Sequence, residues 1–376
     1  MPVKKGTKLN MKAKILKSQE SIILDLRRVY EARGYRKYKM NKFEEYDLYL
    51  ENKSFLKSDR IITFNDLNGK LLALKPDVTL SIVKNTPDEE QKLYYTENVY
   101  RVRSGQYKEI MQVGLEYIGC VDTYTMCEVL TLAAESLGAI SSDYILDISH
   151  LGFISGLTEE LDDSLRSEIV KLTGAKDVHE IKALCDKNGI DPSLCEKLCT
   201  LAELGGSIQS VLPKCRSLII NETTKEAYES LEKICEALSG SECADKMHID
   251  FSVINDMDYY SGITFRGFIN GIAQSVLSGG SYDKLLEKFG KKKNAVGFAV
   301  YMDALEYYCD APSGFDVDVF LKYGENSDPA ALTKAVNMLL ASGQTVFASR
   351  SLPKGLKYRQ LLRFNERGLE FVEGND

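Results

Sequence analysis

Three stretches carry residue types that hold small charged molecules. In ALKPDVTLSIVKN (residues 73–85) an acid and a hydroxyl, Asp77 and Thr79, stand where a strand gives way to a helix. A carboxylate there can hold an ammonium group, or simply cap the helix that Pro76 delays. In YRVRSGQYKEIMQVGLEYIG (residues 100–119) Arg101 and Arg103 share one face of a strand, because strand side chains alternate. Two guanidiniums beside a glycine loop can grip a phosphate or a carboxylate. On the returning strand Gln112, Gly114 and Glu116 share a face, and the two polar side chains can meet an amino group and a polar ring. A solvated sheet face carries the same pattern. In NDMDYYSGITFRGF and LSGGSYDKLLEKFG, Tyr259 and Tyr260 lead into a strand, and Gly279-Gly280 precedes Tyr282. The glycine pair lets backbone approach a ligand, or makes a turn; the tyrosines suit a pocket wall or a core.

Such groups need elements to hold them. KLYYTENVYRV and KEIMQVGLEYIG read as strands joined by the polar loop RSGQY. IITFND and KLLALKPD read as a hairpin, with Asn68-Gly69 supplying the positive φ values of a tight turn. HIDFSVIN, YYSGITFRGFI and AQSVLSGGSYD read as further strands, and AVGFAVYMDALEYY as a strand running into a helix. Helical spacing covers residues 11–34, ended by Gly34, and residues 122–138. The short strand YILDIS opens residues 141–246, otherwise charged and helical, which read as an insertion. Strands joined by tight turns, with helices not strictly alternating, predict an α+β fold. Its parts are an antiparallel sheet flanked by helices (residues 1–140 and 247–310), a helical insertion (141–246) and a small C-terminal α/β segment (311–376).

Composition narrows the function. The 376 residues include 55 acids against 48 bases, a net charge of −7, so a dedicated nucleic-acid-binding face is not expected. No apolar run approaches the roughly 20 residues that span a bilayer. The basic N-terminus lacks the apolar core of a signal peptide and reads as a tail leading into a helix. Nine cysteines are scattered without a CxxC, and three histidines lie far apart, so neither a metal site nor a disulfide framework is expected. Reduced thiols suit a cytoplasmic protein.

Taken in order, the stretches resemble the catalytic domain of the histidyl-tRNA synthetases, a class II synthetase fold. YEARGYRKYKMNKFEEYDLY is similar to motif 1, TENVYRVRSGQYKEIMQVGLEYIG to motif 2 and GFAVYMDAL to motif 3, while LKPDVT, DMDYYSGITF and SGGSYD resemble the histidine-pocket segments. The resemblance implies that Asp77, Thr79 and Gln112 receive an α-ammonium, that Glu116, Tyr259 and Tyr260 address an imidazole, and that Tyr282 closes the wall. It also implies Arg101 and Arg103 as an anion-binding pair.

The departures from that family fall mostly on its cations. Ala304 stands at the motif 3 arginine, Asn255-Asp256 at an Arg-Gly pair, and Ser281 at the arginine of Gly-Gly-Arg-Tyr-Asp. Gln106-Tyr107-Lys108 replaces Arg-Tyr-Arg, Arg103 an acid, and Asn41 the motif 1 proline. Losing one preorganised donor to a transition-state charge commonly costs about 100- to 1000-fold in rate. A kept pocket with lost adenylation chemistry resembles the regulatory-subunit family of ATP phosphoribosyltransferase, the synthetase paralogues of histidine biosynthesis. That resemblance implies a non-catalytic protein without a cofactor, dimeric through residues 41–49, assembled with a short catalytic subunit and responsive to histidine, with tRNA not expected as a partner. The alternatives are an active histidyl-tRNA synthetase and a synthetase-like sensor.

Overall fold

The computed structural model describes residues 18–52, 61–103, 105–254, 259–305 and 315–375. The chain divides into two compact units, one of residues 22–308 and one of residues 309–376 with 1–21.

In the larger unit, α1 (Ser18–Ala32) buries Ile22, Leu26 and Tyr30, one turn apart, and ends near Gly34 at φ +82°. The residues expected to extend this helix back to 11 lie outside the described residues. Next come β1 (Arg36–Lys37), β2 (Phe43–Glu45), α2 (Tyr46–Glu51), β3 (Thr63–Asn65), β4 (Leu71–Leu74) and α3 (Thr79–Asn85). The hairpin expected between residues 61 and 77 is present as β3–β4. Its turn differs from expectation: only Gly69 has positive φ, and the Asp66 carboxylate holds the loop by accepting the Asn68 and Lys70 N–H groups, both at 2.8 Å.

The two long strands β5 (Gln91–Arg103) and β6 (Gln106–Gly119) are followed by α4 (Thr123–Ile140) and β7 (Tyr144–His150). Asp122 caps α4 by accepting the Thr125 N–H at 2.8 Å. A run of helices follows: α5 (Leu151–Leu157), α6 (Asp163–Gly174), α7 (Val178–Asn188) and α8 (Pro192–Glu203), then the short β8 (Gly205–Ser207), α9 (Ile208–Cys215) and α10 (Glu222–Leu238). Asp162, Asp177, Asp191 and Asn221 cap four of these helices, which is why this charged stretch breaks into short pieces. The central fold resumes with β9 (Met247–Asp250), β10 (Ile263–Ile269), β11 (Leu277–Ser281), α11 (Asp283–Lys288) and β12 (Asn294–Tyr301). β9 is shorter than HIDFSVIN suggests, because the Asp250 carboxylate accepts the Ser252 N–H at 2.8 Å and turns the chain. A 3-10 turn, residues 302–305, follows β12 where a helix is expected.

The main sheet has nine strands in the order β1-β5-β6-β12-β11-β10-β7-β9-β8. The run from β5 to β7 is antiparallel, as expected, but β1–β5 and β7–β9 are parallel. Parallel pairing needs a long crossover, and the helical insertion supplies one between β7 and β9. The YILDIS strand, placed by its sequence position at the head of the insertion, therefore sits within the central sheet. One sheet face is covered by α1 and α4: Tyr30 packs against Tyr94 and Phe298, with ring centroids 6.1 and 6.0 Å apart, and its hydroxyl meets Ser136 Oγ at 3.0 Å.

The smaller unit contains β13 (Val317–Tyr323), α12 (Pro329–Ala341), β14 (Val346–Ser349), β15 (Tyr358–Asn365) and β16 (Gly368–Gly374) in the order β14-β13-β15-β16. Its core is Val319, Leu321, Leu339 and Leu362, with Leu332, Val336 and Phe364 against it. This is the small C-terminal α/β segment expected from the sequence.

Candidate ligand-binding site

Opposite the α1 and α4 face, alternation and register bring polar side chains into rows. Across the sheet Leu93 pairs with Glu116, Glu116 with Gly297, and Gly297 with Gly280. One pair along, Tyr95, Gly114, Ala299, Ser278 and Arg266 stand side by side. Next come Glu97, Gln112 and Tyr301. Residues in register share a face, so five strands, the β5–β6 hairpin and three from much later in the sequence, build one floor.

Glu116 lies at the centre of that floor and is 2% exposed. Thr79 Oγ1 donates to its Oε1 and the Tyr282 hydroxyl to its Oε2, both at 2.7 Å. Burial pushes its pKa up to about 8, against the pull of those two hydrogen bonds and with a further push from the Asp77 charge. The carboxyl fits because residue 297 is glycine: a Cβ there would lie 1.8 Å from Glu116 Oε2 and 2.5 Å from the Leu115 carbonyl oxygen.

The other expected residues gather round it. A cavity of about 380 Å³, counting its mouth, is lined by all seven candidates, Asp77, Thr79, Gln112, Glu116, Tyr259, Tyr260 and Tyr282, together with Arg101. Tyr259 packs edge-on against Tyr260 at 4.8 Å between centroids and lies 6.2 Å from the Tyr282 ring. Burial raises the pKa of Tyr259 and Tyr282 well above the ordinary phenol value, so both hydroxyls keep their protons as donors. The Gln112 amide is buried, has no hydrogen-bond partner among the described residues and lines the cavity, so it is ready for a ligand.

Asp77 acts as the helix cap read above. Its Oδ1 accepts the Leu80 N–H at 2.9 Å, while Oδ2 lies 3.6 Å from Arg101 Nη2. Arg101 also donates through Nε to the Pro76 carbonyl at 2.8 Å, which locks the LKPDVT segment to β5. The glycine pair makes neither a turn nor a ligand cradle. Both residues lie within β11, where a Cβ on Gly280 would meet the Tyr260 ring at 2.8 Å and one on Gly279 the Gly297 carbonyl at 2.4 Å.

A second cavity of about 560 Å³ shares Arg101, Ser278 and Tyr301 with the first and continues to Arg266, Gln274, Asp303 and Ala304. It runs from the first cavity to the position where the resemblance expects an arginine and the chain has Ala304. Sequence reasoning missed Arg266, although β10 alternation sets it in line with Thr264. It also missed Tyr95, Ser278, Gly297 and Tyr301, and a fully buried Lys75 whose Nζ meets Glu97 at 3.0 Å. The side chain of Arg103 and residues Asn255 and Asp256 lie outside the described residues. Ser281 is on the opposite sheet face, away from this site, as β11 alternation requires.

Among the described residues no three metal-ligating side chains come together, and no described helix is long and apolar enough to cross a membrane.

The sequence profile of histidyl-tRNA synthetase matches residues 11–305. A protein of Oceanobacillus iheyensis named ATP phosphoribosyltransferase regulatory subunit is 27% identical over 337 residues, covering 87% of this chain and 83% of the relative. The crystal structure of an ATP phosphoribosyltransferase regulatory subunit/histidyl-tRNA synthetase from Bacillus halodurans C superposes with a TM-score of 0.73 at 22% identity, covering 92% of this chain and 93% of that one. A chain of the ATP phosphoribosyl transferase (HisG:HisZ) complex from Thermotoga maritima superposes with a TM-score of 0.61 at 19% identity, covering 76% of this chain and 97% of that one. At these identities the two structures speak for the fold alone.

Proposed function

Because the chain belongs to the histidyl-tRNA synthetase family, we propose that it keeps that family's amino-acid pocket and has given up its chemistry, serving as the non-catalytic regulatory subunit of ATP phosphoribosyltransferase. The observation that carries this reading is the contrast between the two joined cavities. Every candidate residue of the first lines one cavity with Glu116, which Thr79 and Tyr282 hydrogen-bond, whereas the second ends at Ala304. Adenylation builds negative charge on phosphorus, and a methyl group there stabilises none of it. The names of the curated relatives point the same way.

In this reading a short catalytic subunit joins ATP to phosphoribosyl pyrophosphate, and the present chain assembles with it in the cytoplasm. Residues 41–49 contribute to a two-fold interface between copies of this chain. Residues 1–140 and 247–310 act as the pocket-bearing domain, residues 141–246 as the insertion and residues 311–376 as a separate small segment. Free histidine is the effector. Gln112 receives its α-ammonium beside Asp77 and Thr79, and Glu116 with the tyrosines meets its ring. Arg101, with Arg103, meets an anionic group. Regulation is linkage: histidine favours whichever assembly state binds it more tightly, by the ratio of the two affinities.

The test is histidine-dependent exchange of pyrophosphate into ATP, run beside co-purification with the organism's own short catalytic subunit. Co-elution without exchange supports the reading. Robust exchange, or charging of tRNA, favours an active synthetase instead.

A further inference from the structure

A third cavity lies on the opposite face of the sheet, in a place the proposed function does not use. It holds about 950 Å³, counting its mouth, and opens between the start of α4, the insertion helix α10 and the residues that flank β11. Among the described residues two carboxylates line it, those of Asp122 and Asp283, and no lysine or arginine does. Asp122 Oδ1 is engaged by the Thr125 N–H and hydroxyl, both at 2.8 Å. Asp283 Oδ1 accepts the Ala295 N–H at 2.9 Å, and its Oδ2 the Ser261 hydroxyl at 3.3 Å. An ionised carboxylate has about four acceptor sites, so both keep capacity for a cation.

Two donors, the buried Ser281 and the half-buried His150, point to the rest of the ligand. Ser281 is 6% exposed, and its hydroxyl has no hydrogen-bond partner among the described residues. His150 accepts the Gly152 N–H through Nδ1 at 3.1 Å, which fixes the neutral ring proton on Nε2. That N–H has no partner among the described residues and lies beside Gly262 on the cavity wall. Burial holds the His150 pKa down to about 4, so near neutrality the ring is an uncharged donor. Buried donors left unmet carry a desolvation penalty that an acceptor relieves. Ile234 of α10 and Ile263 of β10 add an apolar side. A carboxylate or phosphate would face two aspartates and no cation.

We propose that this cavity binds a small amine or guanidine that also carries a neutral hydrogen-bond acceptor, its cation between Asp122 and Asp283 and its acceptor on His150 Nε2 and Ser281 Oγ. Such a ligand touches the insertion and the central sheet together.

The experiment is calorimetric titration of the full chain with Nα-acetyl-L-arginine amide, and with Nα-acetyl-L-citrulline amide as its uncharged isostere. The charged amide binds with a Kd of about 1 mM or below, and the neutral one at least about tenfold more weakly. Asp122→Asn, which keeps a helix-capping residue, weakens binding by about fivefold. Ser230→Lys, on the α10 wall, sets a tethered ammonium in the cavity and abolishes binding without lowering Tm. Glu116→Gln, on the other sheet face, leaves the affinity for the charged amide unchanged. Equal binding of the two amides, no binding below about 20 mM, indifference to both cavity substitutions, or loss of binding in Glu116→Gln would each overturn the proposal.

Discussion

Replacing Glu116 with glutamine tests how the pocket floor is built. The Glu116 carboxyl ordinarily titrates near 4.5 and is pushed up to about 8 here, chiefly by burial. The folded chain therefore holds a proton that the unfolded chain gives up as pH rises from 4.5 to 8. Stability from this group is fully present below 4.5 and is lost as pH rises through that window. One pH unit corresponds to about 1.4 kcal/mol, so the whole interval amounts to about 5 kcal/mol and the part between pH 5 and pH 8 to about 3 kcal/mol. Glutamine keeps the shape and can still hydrogen-bond Thr79 and Tyr282, but it has no proton to lose. Urea unfolding of both proteins at pH 5, 6, 7 and 8 gives the difference directly. Asp147, whose pKa burial raises to about 6, and His150 titrate in both proteins and cancel. The variant gains on the wild type by about 3 kcal/mol from pH 5 to pH 8. A difference that stays within about 0.5 kcal/mol means that Glu116 is ionised in the ligand-free protein, and the burial argument fails.

Other consequences are simpler to read. Gly297→Ala drives a methyl group into Glu116 and the Leu115 carbonyl; it destabilises the chain by about 3 kcal/mol or more, whereas Gly240→Ala, with nothing within 4 Å, is near neutral in the same melts. Calorimetry with free histidine shows binding to the wild type and about tenfold or greater weakening in Gln112→Ala and Glu116→Gln, the loss expected for a charge-assisted or buried hydrogen bond; unchanged affinity moves the effector site elsewhere. Sedimentation at micromolar concentration gives a dimer or larger; a monomer, alone and with the catalytic subunit, removes residues 41–49 as an interface.

Local pattern carried much of this molecule. Alternation placed Arg101 on one strand face and Gln112 with Glu116 on another, and the segments around Asp77, Tyr259 and Tyr282 come together with them in one cavity. What local pattern does not carry is register between strands far apart in sequence. Gly297 and Tyr301 enter the site because β12 lies beside β6 across about 180 residues, and nothing near Gly297 announces the carboxylate it accommodates. The same limit hid the parallel pairing of β7 with β9 across the insertion. At the hairpin, Asn68-Gly69 looked like the determinant, yet the Asp66 carboxylate organises the turn. At Asp77 one oxygen caps α3 and the other faces Arg101, a partner that the local sequence of LKPDVT does not reveal.

The central claim is that this chain regulates an activity it does not itself possess. The most direct measurement is ATP condensation with phosphoribosyl pyrophosphate by the organism's own short catalytic subunit, followed with and without this chain and against added histidine. The account predicts that adding the chain raises the rate, that histidine lowers it, and that Glu116→Gln and Gln112→Ala shift the histidine response about tenfold or more while leaving assembly intact. A catalytic subunit that works at full rate alone, with no effect of this chain and no response to histidine, would contradict it.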